Sequence, residues 1–245
     1  MDMDLASARI FLPTLVSLCA LYPLLAARFA IARQTAWILT TIASGLMTAA
    51  ALPFLADHIK ARGDVGAVLL RTDVACTVNR FFQAYLAADL LVGALAYRSQ
   101  VGLLTGWVHH AVYLGITEIA IRNGWAHIFC MCAIMELPTF LLGASTLFPR
   151  LRCNTLFAAT FLATRIVLHL VLIISYVLFP VAPLPASSVF SAAAGGYAAA
   201  PVLGAALRAV GAVRGTRVVS ALLAFVFPLH AMWFVGCVKG FVRRA

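Results

Sequence analysis

Apolar runs of roughly bilayer length recur along this chain, and nearly every one is closed by an arginine. A helix needs about 20 apolar residues to cross the hydrocarbon core, where no water can satisfy its backbone. The runs here are continuous and do not alternate apolar with polar, so the strands of a membrane barrel are excluded and helices remain. Composition agrees: 64% of the residues are hydrophobic and 11% charged, against about 25% charged in soluble domains. Soluble, disordered and collagen-like folds are excluded on the same ground. The net charge of +10 is therefore loop charge at a membrane surface, and nucleic acid is not an expected partner.

The charges divide the chain into seven predicted spans, with eight as the alternative. Arg9 and Arg28 bracket the first, Arg33 and Asp57 the second, and a polar loop with mixed charge follows through Lys60, Arg62, Asp64, Arg71 and Asp73. Arg80 to Arg98, Arg98 to Arg122 and Arg122 to Arg150 enclose the third, fourth and fifth. The sixth runs from Arg152 to Pro180, Pro183 and Pro185, and the last lies between Arg217 and Lys239. The stretch 186–207 is rich in Ala, Gly and Ser, contains Gly195, Gly196 and Pro201, and reads as a loop or a marginal eighth helix. Asp2 and Asp4 stand where a signal peptide would carry basic residues, so the first run is expected to be a retained helix. Basic residues divide evenly between the two sides, which leaves orientation open. The six cysteines fall mostly in or near spans, against a disulfide framework. His127, Cys130 and Cys132 lack a second ligand pair at zinc spacing, so no metal is expected.

Ionisable side chains inside a span are costly and point to function, so their depth matters. Of the 23 residues between Arg98 and Arg122, His109 and His110 are the eleventh and twelfth. Glu136 is the fourteenth of 27 in the next run, and Asp89 is the ninth of 17 in the run before. Arg165 and His169 lie near the middle of the sixth span, and His230 is the thirteenth of 21 in the last. One buried polar site shared by helices three to seven is expected, with the first two helices as apolar wall or anchor. Arg165 requires a carboxylate, Glu136 or Asp89, because a lone buried guanidinium is untenable. Asp89 has Tyr85 one turn before it as a hydrogen-bond partner. Adjacent helical residues point about 100° apart, so the two histidines cannot share one contact; one is placed for base or nucleophilic chemistry and the other to orient it.

The residues Trp107-Val108-His109-His110-Ala111-Val112-Tyr113 resemble the double-histidine motif of the TLC-domain membrane proteins, the family of the ceramide synthases and their smaller relatives. Tyr85-Leu86-Ala87-Ala88-Asp89-Leu90, Met135-Glu136-Leu137-Pro138-Thr139-Phe140, Phe161-Leu162-Ala163-Thr164-Arg165-Ile166 and His230-Ala231-Met232-Trp233-Phe234 resemble further family motifs in order. The resemblance covers roughly residues 34–242, after an N-terminal helix and loop at 1–33, with 186–216 as an insertion. It implies a six-helix barrel around a lipid-accessible cavity, preceded here by the extra helix, in the endoplasmic reticulum with the carboxyl terminus cytosolic.

It also implies the transfer of a fatty acyl group from acyl-coenzyme A to a sphingoid-base amine, without a cofactor. His109 or His110 would be catalytic, and Tyr85, Asp89, Glu136, Arg165, His169 and His230 supporting. The stretch Ile128-Phe129-Cys130-Met131-Cys132-Ala133-Ile134-Met135-Glu136 lacks the aspartates that the synthases carry there, which favours the smaller branch. The alternative expectation is thus a non-catalytic protein that binds lipid and regulates membrane composition. Expected partners are bilayer lipids, with a homodimer left open. A retinal protein is disfavoured because Lys239 lies at a span edge, and no repeated broken helices suggest a transporter.

Overall fold

A computed structural model describes residues 2–178 and 216–242. All regular structure among them is helical. The principal helices among the described residues are, in chain order, α1 (Asp2–Ala26), α2 (Ile38–Lys60), α3 (Thr72–Ala96), α4 (His109–Arg122), α5 (Ala126–Leu147), α6 (Asn154–Leu178) and α7 (Thr216–Val242). The stretch 186–207 lies outside the described residues.

Five helical segments are long and apolar enough to cross a membrane: Arg9–Ala26, Ala32–Lys60, Ala126–Leu147, Asn154–Leu178 and Val218–Gly240. The two predicted spans outside this set are α3 and α4. Their apolarity is diluted by Asn79, Arg80, Gln83 and Asp89 on α3 and by His109, His110 and Glu118 on α4. These polar side chains are buried or half-buried, so the least apolar helices are the ones that carry polar groups into the bundle.

The start of α3 departs from the sequence reading. Arg80 was expected to close the span, yet the helix begins two turns earlier at Thr72. Arg80 is tolerated inside it because Nη1 donates to Glu118 on α4 at 2.6 Å and to Gln83 at 2.7 Å. Arg122 Nε donates to the same carboxylate at 2.6 Å, so one Glu118 serves two arginines. The polar connection before α3 is tied down by Arg71, whose Nε donates to Asp57 at 2.7 Å. Between α4 and α5, Gly124 at φ +71° ends the helix. Trp125 N–H reaches the Ala120 carbonyl at 2.7 Å and Gly124 N–H the Ile121 carbonyl at 3.2 Å, which satisfies the last turn of α4.

The helices form a ring. α3 packs between α2 and α4, α2 packs on α5, α5 on α6, and α6 on α7, while α1 lies outside against α3. Leu18 and Tyr22 of α1 are buried on that contact, whereas Leu12, Val16 and Leu24 are exposed on its outer side. The close approach of α2 and α5 depends on Gly143, where a Cβ would overlap the Thr41 hydroxyl and crowd Trp37. Asn79, fully buried, locks α3 to α5 by donating to the Ala75 and Ala126 carbonyls at 2.8 and 3.0 Å. The ring is closed at α4 and α7 by one aromatic contact, His109 against Trp233, with ring centres 5.7 Å apart.

Candidate functional site

Inside this ring lies a cavity of about 570 Å³. Its wall takes Thr40 from α2, Asp89 from α3, His109 and His110 from α4, Glu136 from α5, Arg165 from α6 and Trp233 from α7. Its mouth is at Arg33 and Gln100, both exposed. The second helix, expected only as an apolar wall or anchor, thus supplies Trp37 and Thr40 to the cavity. Six of the eight predicted site residues line this one space: Tyr85, Asp89, His109, His110, Glu136 and Arg165.

Two helix distortions aim the key side chains. Leu103–Val108, directly before the histidine pair, is a π-helical turn, with Trp107 N–H bonded to the Gly102 carbonyl five residues back at 3.2 Å. A second π-helical stretch, Leu162–Leu168, contains Arg165 and ends at His169. One extra residue per turn rotates everything that follows and frees backbone groups, which is why such turns concentrate at functional sites.

Asp89 is 6% exposed and is held by two neighbours. The Tyr97 hydroxyl donates to Oδ1 at 2.7 Å, and His110 Nδ1 lies 3.4 Å from Oδ2. The imidazole and carboxylate face each other, but the alignment stops short of a hydrogen bond, so His110 Nδ1 has no bonded partner. Loose alignment of this kind is common where catalytic contacts tighten only with substrate in place. Tyr85 does not bond Asp89 as the sequence suggested. Its hydroxyl donates to Thr40 Oγ1 on α2 at 3.2 Å, and its ring lies edge-on to His110 with centres 5.8 Å apart. Tyr97 is the partner that spacing could not reveal, because it sits just past the end of α3 in a non-helical conformation and is propped by Tyr22 of α1.

His109 points differently from its neighbour, as adjacent helical residues must. Its ring is packed among Tyr113 and Trp233, with centres 4.5 and 5.7 Å away, and its Nδ1 is buried without a hydrogen-bonding partner. Among the described residues five buried side-chain atoms lack a protein hydrogen bond, and the two that border the main cavity are His109 Nδ1 and His110 Nδ1.

Arg165 takes Glu136 as its carboxylate, one of the two choices left open by the sequence. Nη2 lies 3.2 Å from Glu136 Oε1 and 2.6 Å from Thr139 Oγ1, and Nε donates to the Met135 carbonyl at 2.7 Å. The guanidinium also faces the Phe161 and Trp233 rings at 5.5 and 5.6 Å. Arg165 also lines the cavity.

His169 and His230 do not join the main cavity. They line a separate, mostly apolar chamber of about 100 Å³, which shares only Phe82 and Glu136 with the first. Their Nδ1 atoms are 3.0 Å apart, and His169 Nε2 lies 3.0 Å from the Leu223 carbonyl. A carbonyl only accepts, so the contact with Leu223 needs a proton on His169 Nε2, and one of the two Nδ1 atoms donates to the other. The single site expected across helices three to seven is therefore two neighbouring spaces with Glu136 on both walls. Among the described residues, no three His, Cys, Asp or Glu side chains gather as metal ligands. Cys130 accepts instead from Asn79 Nδ2 at 3.3 Å.

No family model, no curated protein and no solved structure matches this chain.

Proposed function

We propose that the chain is a multi-pass membrane acyltransferase of the TLC type, in which α3 and α4 cross the bilayer together with the five more apolar segments. The observation that carries this reading is the facing pair Asp89 and His110, 3.4 Å apart on the wall of a cavity of about 570 Å³. Closing that gap to a hydrogen bond from Nδ1–H to the carboxylate would fix the imidazole tautomer and leave Nε2 as base, an arrangement suited to activating an acyl acceptor. The acyl donor is acyl-coenzyme A and the acceptor the amine of a sphingoid base. The amine nitrogen attacks the thioester carbonyl while His110 takes its proton. Collapse of the adduct breaks the carbon–sulfur bond, and the departing thiolate receives that proton, so no external acid or cofactor is consumed. Arg165, which lines the same cavity, is the cation suited to stabilise the developing oxyanion. The site of action is the endoplasmic reticulum membrane, following the family resemblance.

A second reading has its own support. The ring of His109 is packed as part of an aromatic stack, and most of Arg165 is spent on protein groups. These features suit a protein that binds lipid and regulates membrane composition without turnover. The test is an assay of detergent-purified protein with acyl-coenzyme A and a long-chain base, read by mass spectrometry. Amide product that depends on His110 supports transfer. Co-purified lipid with no product above heat-inactivated protein supports the regulator.

A further inference from the structure

The two ends of the bundle differ in how their charges are compensated. At the end opposite the cavity mouth, Asp57 pairs with Arg71, and Glu118 with Arg80 and Arg122. The mouth end carries six exposed cations, Arg28, Arg33, Arg98, Arg150, Arg152 and Lys239. Their segments are held together: Gln34 bonds the Leu147 carbonyl at 3.1 Å, Phe29 meets Phe148, and Arg33 and Gln100 share the cavity mouth. No exposed carboxylate among the described residues lies at this end, where Asp89 is buried against Tyr97.

A groove of about 490 Å³ opens on the same end between α5, α6 and α7. Arg152 and Asn154 line it together with Leu141, Leu142, Leu151, Leu156 and Phe157. Arg152 Nε donates to Asn154 Oδ1 at 3.1 Å, which steers the exposed guanidinium. Gly236 and Gly240 form the α7 wall, and a Cβ at either would meet nothing within 4 Å. Leu142, Phe157 and Cys237 belong both to this groove and to the main cavity, so the two spaces adjoin.

We infer that this groove binds one anionic phospholipid, with the headgroup phosphate on Arg152 and the first acyl carbons against Leu142, Leu156 and Phe157. Guanidinium is the preferred partner of phosphate, and uncompensated cations beside a bilayer draw anionic headgroups. A freely soluble phosphate would need a polar pocket. Leucine and phenylalanine walls next to a fixed arginine match a molecule with one charged end and one hydrocarbon end. The inference does not depend on acyl transfer and stands if that reading fails.

The test uses the full chain, delipidated in neutral detergent and titrated with phosphatidylglycerol or phosphatidylcholine, with bound lipid counted by native mass spectrometry. Both lipids present a phosphate, but in phosphatidylcholine the choline cation offsets its charge beside the exposed arginines, so phosphatidylglycerol is expected to bind at about fivefold lower concentration. Arg152→Gln is expected to erase that preference, and Gly236→Leu to lower binding of both lipids by filling the groove. Arg62→Gln, at the opposite end, is expected to change neither. Each variant is checked for wild-type helicity and elution, and Gly236→Leu keeps the test alive if Arg152→Gln fails to fold. Equal binding of the two lipids, full preference in Arg152→Gln, or displacement of the lipid by coenzyme A or inorganic phosphate at similar concentration would each overturn the inference.

Discussion

His109 with His110 and His169 with His230 are both imidazole pairs buried in the same bundle, but they are satisfied in opposite ways. The second pair is 61 residues apart in sequence and closed on itself: each ring bonds the other, and the Leu223 carbonyl takes the remaining proton of His169. Its chamber holds about 100 Å³ and is walled mainly by apolar side chains. The first pair is adjacent in sequence and open. Neither Nδ1 has a hydrogen-bonding partner, and the rings border a cavity of about 570 Å³ with a carboxylate 3.4 Å from one of them. Buried polarity is costly in either case. The closed pair recovers that cost as helix-to-helix bonding between α6 and α7, whereas the open pair leaves it available to a ligand.

Substitutions should separate the two pairs. The largest effect is expected from His110→Ala, which removes the proposed base: turnover should fall by about 10²–10⁴-fold, the usual range for general base catalysis. The thermal midpoint should stay near wild type, measured on the same preparation. Arg165→Met should strand Glu136 without its cation and cost about 3–5 kcal/mol of stability. Adding Glu136→Gln should restore much of that loss, a recovery readable as a higher unfolding temperature. His169→Ala should cost about 1–3 kcal/mol through broken hydrogen bonds while leaving turnover per folded molecule unchanged. The smallest effect belongs to Tyr97→Phe, which deletes one bond to Asp89: about 0.5–1.5 kcal/mol by thermal unfolding, with a partial loss of turnover as the carboxylate loosens.

Much of this architecture is readable from the chain because lipid forces each apolar run to close its own backbone bonds. The positions of α1, α2, α5, α6 and α7 follow from that rule alone. The start of α3 did not, since Arg80 marks a boundary only when it has no partner, and Glu118 lies 38 residues away. Depth counting named residues of the main cavity although the middles of the helices do not coincide: Asp89 lies in the last third of α3, and His109 opens α4 after the π-helical turn. It could not separate His169 and His230 from them, which depends on how α6 rotates against α7. Nor could it find the π-helical turns before His109 and around Arg165, because no residue type there demands i to i+5 bonding. Thr40 and Tyr97 escaped for a related reason. Threonine is unremarkable in an apolar helix, and Tyr97 reaches Asp89 only because the backbone turns after Ala96.

The most direct test of the claim that the open pair is the chemical one is a side-by-side turnover measurement of wild type, His110→Ala and His169→Ala, each normalised to folded protein, with acyl-coenzyme A and a long-chain base. Loss of amide product in His110→Ala with retention in His169→Ala is the predicted result. Equal turnover in wild type and His110→Ala, or loss confined to His169→Ala, would contradict it.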